Sequence, residues 1–131
     1  MKTYLAIVHK DTDSAYGVSF PDLPGCFSAA DAFTDILPNA AQAVELWFED
    51  AQVVEPRNID AIRAEVAADL LAGAFLIAVP YIRRTSRQKR VNISLDTGML
   101  DAIDTAAKAM RLTRSAFIAQ ATANEIRGAG R

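Results

Sequence analysis

Lys89-Arg90-Val91-Asn92-Ile93-Ser94-Leu95-Asp96 is the stretch on which the reading of this 131-residue chain turns. Val91, Ile93 and Leu95 alternate with Arg90, Asn92 and Ser94. Successive side chains of a strand point to opposite faces, so one face carries three branched apolar groups and the other three hydrogen-bonding groups. The first face needs a core and the second a polar partner. Asp96 is placed to cap a helix whose apolar positions Met99/Leu100, Ile103, Ala106/Ala107 and Met110 form one stripe. Thr113 caps a second helix, with Ala116/Phe117, Ala119/Gln120 and 123–126 as its core side.

A strand of about six residues and two short helices bury too little apolar surface to stand alone. The economical solution pairs the strand with its copy from a second chain, which predicts a homodimer through this segment. Paired antiparallel, the two strands expose their polar faces in a ribbon narrow enough for the major groove. Arg90 suits guanine edges and Asn92 adenine edges, while Ser94 discriminates less; these three are the expected base-reading residues. Thr113, Arg114 and Ser115, at the N-terminus of the second helix, offer free N–H groups, a hydroxyl and a cation to phosphate. On these residues the segment resembles the ribbon-helix-helix repressor family. It departs at Arg111, where that family often has glycine between the helices.

Charge divides the chain in the same place. Residues 1–82 hold four basic residues against twelve acidic ones, a net −8, whereas 83–131 hold ten against four, a net +6. Residues 83–90 contain five basic residues and neither an acid nor an apolar side chain, the composition of a linker leading into a nucleic-acid-facing module. About half of the chain is apolar, which argues for a folded core. One cysteine, Cys26, allows no intrachain disulfide, so a cytoplasmic protein is the expectation. The longest apolar stretch, 70–82, is broken by Gly73 and Pro80 and is shorter than the roughly 20 residues of a membrane span.

The acidic half begins with β-formers over 3–9, a polar turn at 11–14 and an alternating run over 16–20, together a hairpin. Pro21-Asp22-Leu23-Pro24-Gly25 is a strong turn signal before a third strand around 26–29. From Thr34 a helical pattern takes over at Leu37, Ala40/Ala41, Val44, Trp47/Phe48 and Ala51, with Pro38 tolerable only in its first turn. A weaker helix over 59–71 and a strand over 74–79, ended or placed at an edge by Pro80, complete the half.

Tyr16-Gly17-Val18-Ser19-Phe20-Pro21-Asp22-Leu23-Pro24-Gly25-Cys26, the helix containing Asn39-Ala40-Ala41-Gln42-Ala43 and the strand ending in Val79-Pro80 resemble the HicB antitoxin family. Together with the tail they cover almost the whole chain in that family's order. Ala30 and Ala32 depart from it, standing where glycine and threonine are expected, and leave Asp31 or Asp35 to cap the helix. The resemblance implies an α+β fold: a small antiparallel sheet with helices, partly ribonuclease-H-like, over 1–82; a basic linker over 83–88; and a ribbon-helix-helix dimerisation and DNA-binding domain over 89–131. It implies an antitoxin that blocks a small basic HicA-type ribonuclease toxin and represses its own operon at operator DNA, without cofactor or metal. The rival readings are a plain repressor with a ligand-sensing or oligomerising front domain, and a ribonuclease-H-like nuclease. The nuclease needs clustered carboxylates, and Asp11, Asp13, Glu45 and Asp50 are its candidates. Residues 3–8, the first strand, contain no acid. Cys26 and His9 have no activating neighbours in sequence, so no catalytic residue is assigned.

Overall fold

The computed structural model describes residues 1–128, and residues 129–131 of the expected tail lie outside them. The chain divides into two compact units, one of residues 1–83 and one from residue 84 onward.

The first unit is built on a four-stranded antiparallel sheet of order β3-β2-β1-β4. Its strands are β1 (Lys2–His9), β2 (Tyr16–Ser19), β3 (Phe27–Ala30) and β4 (Phe75–Tyr81). β1 lies centrally and is apolar on both faces, as a strand covered on two sides must be. Tyr4, Ala6 and Val8 point into the main core, and Ile7 points the other way. β4 pairs with β1 from Lys2 opposite Tyr81 to Val8 opposite Phe75. Pro80 does not end it. As the outer strand of the sheet, β4 tolerates a proline that donates nothing to a neighbour.

Helix α1 (Ile36–Trp47) covers the first face with Ile36, Ala40, Ala41 and Val44. The small alanines let the helix backbone approach the sheet. A 3-10 turn, Phe33–Asp35, precedes α1, which places Pro38 in the first turn where its missing N–H costs no hydrogen bond. Neither Asp31 nor Asp35 caps this helix as expected. Asp35 stands at the cap position in a helical conformation, and its carboxylate accepts no capping bond; Asn39 instead donates to the Ala29 carbonyl at 2.9 Å, tying the helix to β3.

The 59–71 segment is two helices rather than one, α2 (Ile59–Glu65) and α3 (Ala67–Leu71), separated at Val66. Val66 and Ile62 are buried with Ile7 on the second sheet face, so packing fixes the break. Asn58 caps α2 by accepting the Ala61 N–H at 2.9 Å.

The proline-rich turn is held by side chains distant in sequence. Leu23 is fully buried, and the Leu23 and Cys26 N–H groups bond back to the Phe20 and Leu23 carbonyls at 3.1 and 3.0 Å. The Trp47 indole N–H reaches the Pro24 carbonyl at 3.0 Å. Asp22, its side chain only 6% exposed, accepts the Arg57 backbone N–H at 2.9 Å and pairs with the Arg57 guanidinium. That guanidinium also forks onto Glu65 of α2 with two bonds of 3.2 Å. Arg57 therefore joins the turn, the segment after α1 and α2.

The second unit contains α4 (Thr97–Ala109) and α5 (Arg114–Arg127). Asp96 caps α4 through the Gly98 N–H at 2.8 Å, and Thr113 caps α5 through the Ala116 N–H at 3.1 Å. Between them Arg111 adopts φ 57°, the left-handed conformation that glycine reaches without strain. Residues 90–95 are not paired in any sheet of the single chain. The strand expected there has no neighbour within its own chain to bond to.

If the Leu23 side chain wedges the turn into the core, Leu23→Ala costs about 2–5 kcal/mol. Leu71→Ala, at a side chain 91% exposed, changes stability by less than about 0.5 kcal/mol. Urea unfolding of both variants checks the contrast.

Candidate nucleic-acid interface

The second unit is short of core. Among its described residues only Ala107 is buried, while Val91 is 71% exposed, Ile93 61% and Leu95 40%. Met99 and Met110, on the expected stripe of α4, are also exposed. Apolar side chains at this density on a segment of alternating pattern form a face without a cover.

Arg90, Asn92 and Ser94 are all exposed. Arg90 and Asn92 line one groove with Thr113, Arg114 and Ser115, so two of the three residues expected to read bases are brought together with those expected to hold phosphate, while Ser94 lies outside the groove's lining. Lys89 and Gln88 extend the same groove toward the basic run.

The helix N-terminus differs from the expectation in one respect. Arg114 is engaged: its guanidinium forks onto Asp104 of α4 with two bonds of 2.8 Å. These bonds hold the Asp104 carboxyl below the usual carboxylate range and raise the Arg114 guanidinium above its ordinary value. The hydroxyl of Thr113 already accepts the Ala116 N–H. The groups of this terminus that lack an intrahelical acceptor are the backbone N–H groups of Arg114 and Ser115, beside the Ser115 hydroxyl. Asp104 is ten positions from Arg114 and across a turn, beyond the reach of the i, i+4 spacings that reveal helical ion pairs in sequence.

In the first unit, Cys26 is buried and its thiol is pushed up to about 11 by that burial, which leaves it protonated and unreactive near neutral pH. Asp11 and Asp13 lie on the β1–β2 turn, whereas Glu45 lies near the end of α1 and Asp50 in the segment that follows it. Among the described residues no three histidine, cysteine or acidic side chains are gathered in a metal-binding group, and no helix is long and apolar enough to cross a membrane.

A family model described as the HicB-like antitoxin of bacterial toxin-antitoxin systems matches residues 4–122. This chain belongs to the HicB-like antitoxin family. The crystal structure of the Burkholderia pseudomallei antitoxin HicB matches it with a TM-score of 0.53 at 27% identity, covering 98% of each chain. The crystal structure of antitoxin HicB3 matches with a TM-score of 0.52 at 26% identity, covering 95% of this chain and 97% of that one. In sequence, an uncharacterized 14.9 kDa protein from the rep-hol intergenic region of Haemophilus phage HP1 is 27% identical over 131 residues, 94% of this chain and 96% of its own length. The fold of this HicB-like chain, a four-stranded antiparallel sheet with helices, is the one those antitoxins share.

The Asp104–Arg114 fork carries a pH signature. A carboxyl whose folded value is depressed stabilises the folded state above its unfolded value, about pH 4, and that stabilisation is lost as pH falls through the folded value. Asp104→Asn therefore melts below the parent chain at pH 7, and the gap closes as pH falls through the depressed folded value. A gap unchanged across a thermal-melting series from neutral to acid pH would show that the fork contributes nothing.

Proposed function

We propose that the chain neutralises a small basic HicA-type ribonuclease toxin by direct binding through the acidic unit, and represses its own operon through the unit from residue 84 onward. That second unit acts as a ribbon-helix-helix dimer. The chain does this by binding alone, without catalysis, metal or cofactor. Family membership supports the antitoxin role, and the net −8 of residues 1–82 suits a basic partner.

One observation carries the DNA-binding half of this reading. Among its described residues the second unit has a single buried one, Ala107, and it exposes Val91, Ile93 and Leu95, alternating with the exposed Arg90, Asn92 and Ser94. A second copy pairing along 90–95 covers the apolar face, satisfies the strand backbone and sets two polar rows side by side as a ribbon. Arg90 and Asn92 then read base edges from the ribbon. Ser115 and the backbone N–H groups at the start of α5 hold phosphate, and Arg114 joins them from its fork with Asp104.

Binding isotherms over a salt series, on DNA from upstream of the gene and on random DNA, test this reading. Asn92→Ala weakens the specific site by about 1–3 kcal/mol and random DNA little. Arg114→Ala weakens both by similar factors and makes the slope of log K against log salt shallower by about one unit per subunit. If Asn92→Ala weakens both DNAs equally while Arg114→Ala alters base preference, residues 90–94 are not the reading element.

A further inference from the structure

Several elements of the first unit converge at one end of its sheet. β1 runs out at His9, Ala30 of β3 lies opposite Tyr16 at the start of β2, and β4 begins at Phe75 opposite Val8. At this end the Phe33 ring lies edge-on to Tyr16, with centroids 6.0 Å apart at 71°, and tilted against Phe75 at 6.2 Å and 37°. Phe33 is nevertheless 65% exposed. A ring braced on two sides has little rotamer freedom left to lose when a partner covers the third.

The surroundings are acidic. Asp11 and Asp13 come from the β1–β2 turn, and Asp31 and Asp35 flank Phe33 in sequence; all four are exposed. The cation placed among them by a resolved contact is Lys10, whose Nζ lies 5.5 Å from the centre of the Tyr16 ring. An aromatic centre within a charged rim is the anatomy of a protein interface, and exposed aromatic anchors are where binding energy concentrates. The charge selects the occupant. A second copy of this unit would set the same carboxylates against one another, and a phosphate backbone would be repelled, whereas a cationic protein surface is attracted.

We propose that Phe33, braced by Tyr16 and Phe75 within this rim of aspartates, is the anchor on which the basic toxin docks. The occupant is a cationic surface with an apolar pocket that takes one ring. This assignment rests on the antitoxin reading above and adds to it a place on the chain.

The test uses the full-length chain and a catalytically inactive form of the HicA-type toxin encoded beside it, with Kd and association rate measured over a salt series. Phe33→Ser weakens binding at least about tenfold. The double reversal Asp31→Lys with Asp35→Lys slows association, and the deficit shrinks as salt rises. Leu71→Ser, at an exposed apolar side chain on α3, leaves the Kd unchanged. Circular dichroism of each variant verifies the fold; if Phe33→Ser proves unfolded, the charge-reversed chain, altered only at exposed positions, decides alone. Tight binding by the parent chain with no loss in the Phe33 or charge-reversed variants overturns the docking site and leaves the antitoxin role standing. Failure of the parent chain itself to bind the toxin overturns the antitoxin reading, and the docking site falls with it.

Discussion

An extended segment that exposes its backbone and a row of branched apolar side chains demands a partner, and residues 90–95 are such a segment. Val91, Ile93 and Leu95 are only partly covered by their own chain, and the unit they belong to buries only Ala107 among its described residues. The hydrophobic effect opposes this state in water, at about 25 cal/mol for each Å² of apolar surface left exposed. A second copy is the least elaborate cover because it supplies the matching strand and the matching stripe together. The exposed polar row and the basic run before it take their meaning from that pairing.

The acidic unit meets the same demand within one chain. Its sheet is covered by α1 on one face and by α2 and α3 beside β1 and β4 on the other, and its core is continuous from Tyr4 to Val79. What holds the irregular part is polar. Asp22, nearly buried, would be costly without the Arg57 guanidinium and N–H, and the Trp47 indole anchors the next turn of chain. The turn from Pro21 to Cys26 thus serves as architecture. Such a unit closes its core within one chain, whereas the second unit leaves apolar side chains exposed.

Much of this was legible in sequence because it rests on local rules. Richness in β-formers revealed β1 and alternation β2, Pro-Gly chemistry marked the turn, and Asp96 and Thr113 announced their helices as caps. Where sequence reasoning fell short, tertiary contacts decided. Val66 breaks a continuous helical pattern because it is drawn onto the second sheet face. The start of α1 goes without a side-chain cap, and Asn39 fastens the helix to β3 instead. The Arg57 links to Asp22 and Glu65, and the Asp104 fork onto Arg114, join residues separated by turns, where spacing carries no signal. The candidate reading face followed from alternation alone, but the engagement of Arg114 did not. The paired strand was expected from the sequence and is missing from the single chain, which offers residues 90–95 no hydrogen-bonded strand neighbour.

The most direct measurement of that pairing is amide hydrogen exchange at residues 91–95 of the full-length chain, followed on dilution. In an antiparallel pair every second residue is bonded across the two chains, so slow exchange of alternate amides at high concentration should collapse as dimer dissociates, while exchange within the β1 core stays slow. Protection of 91–95 that depends on concentration is the result predicted. Fast exchange of these amides at every concentration, in a chain whose first unit remains protected, would contradict the account.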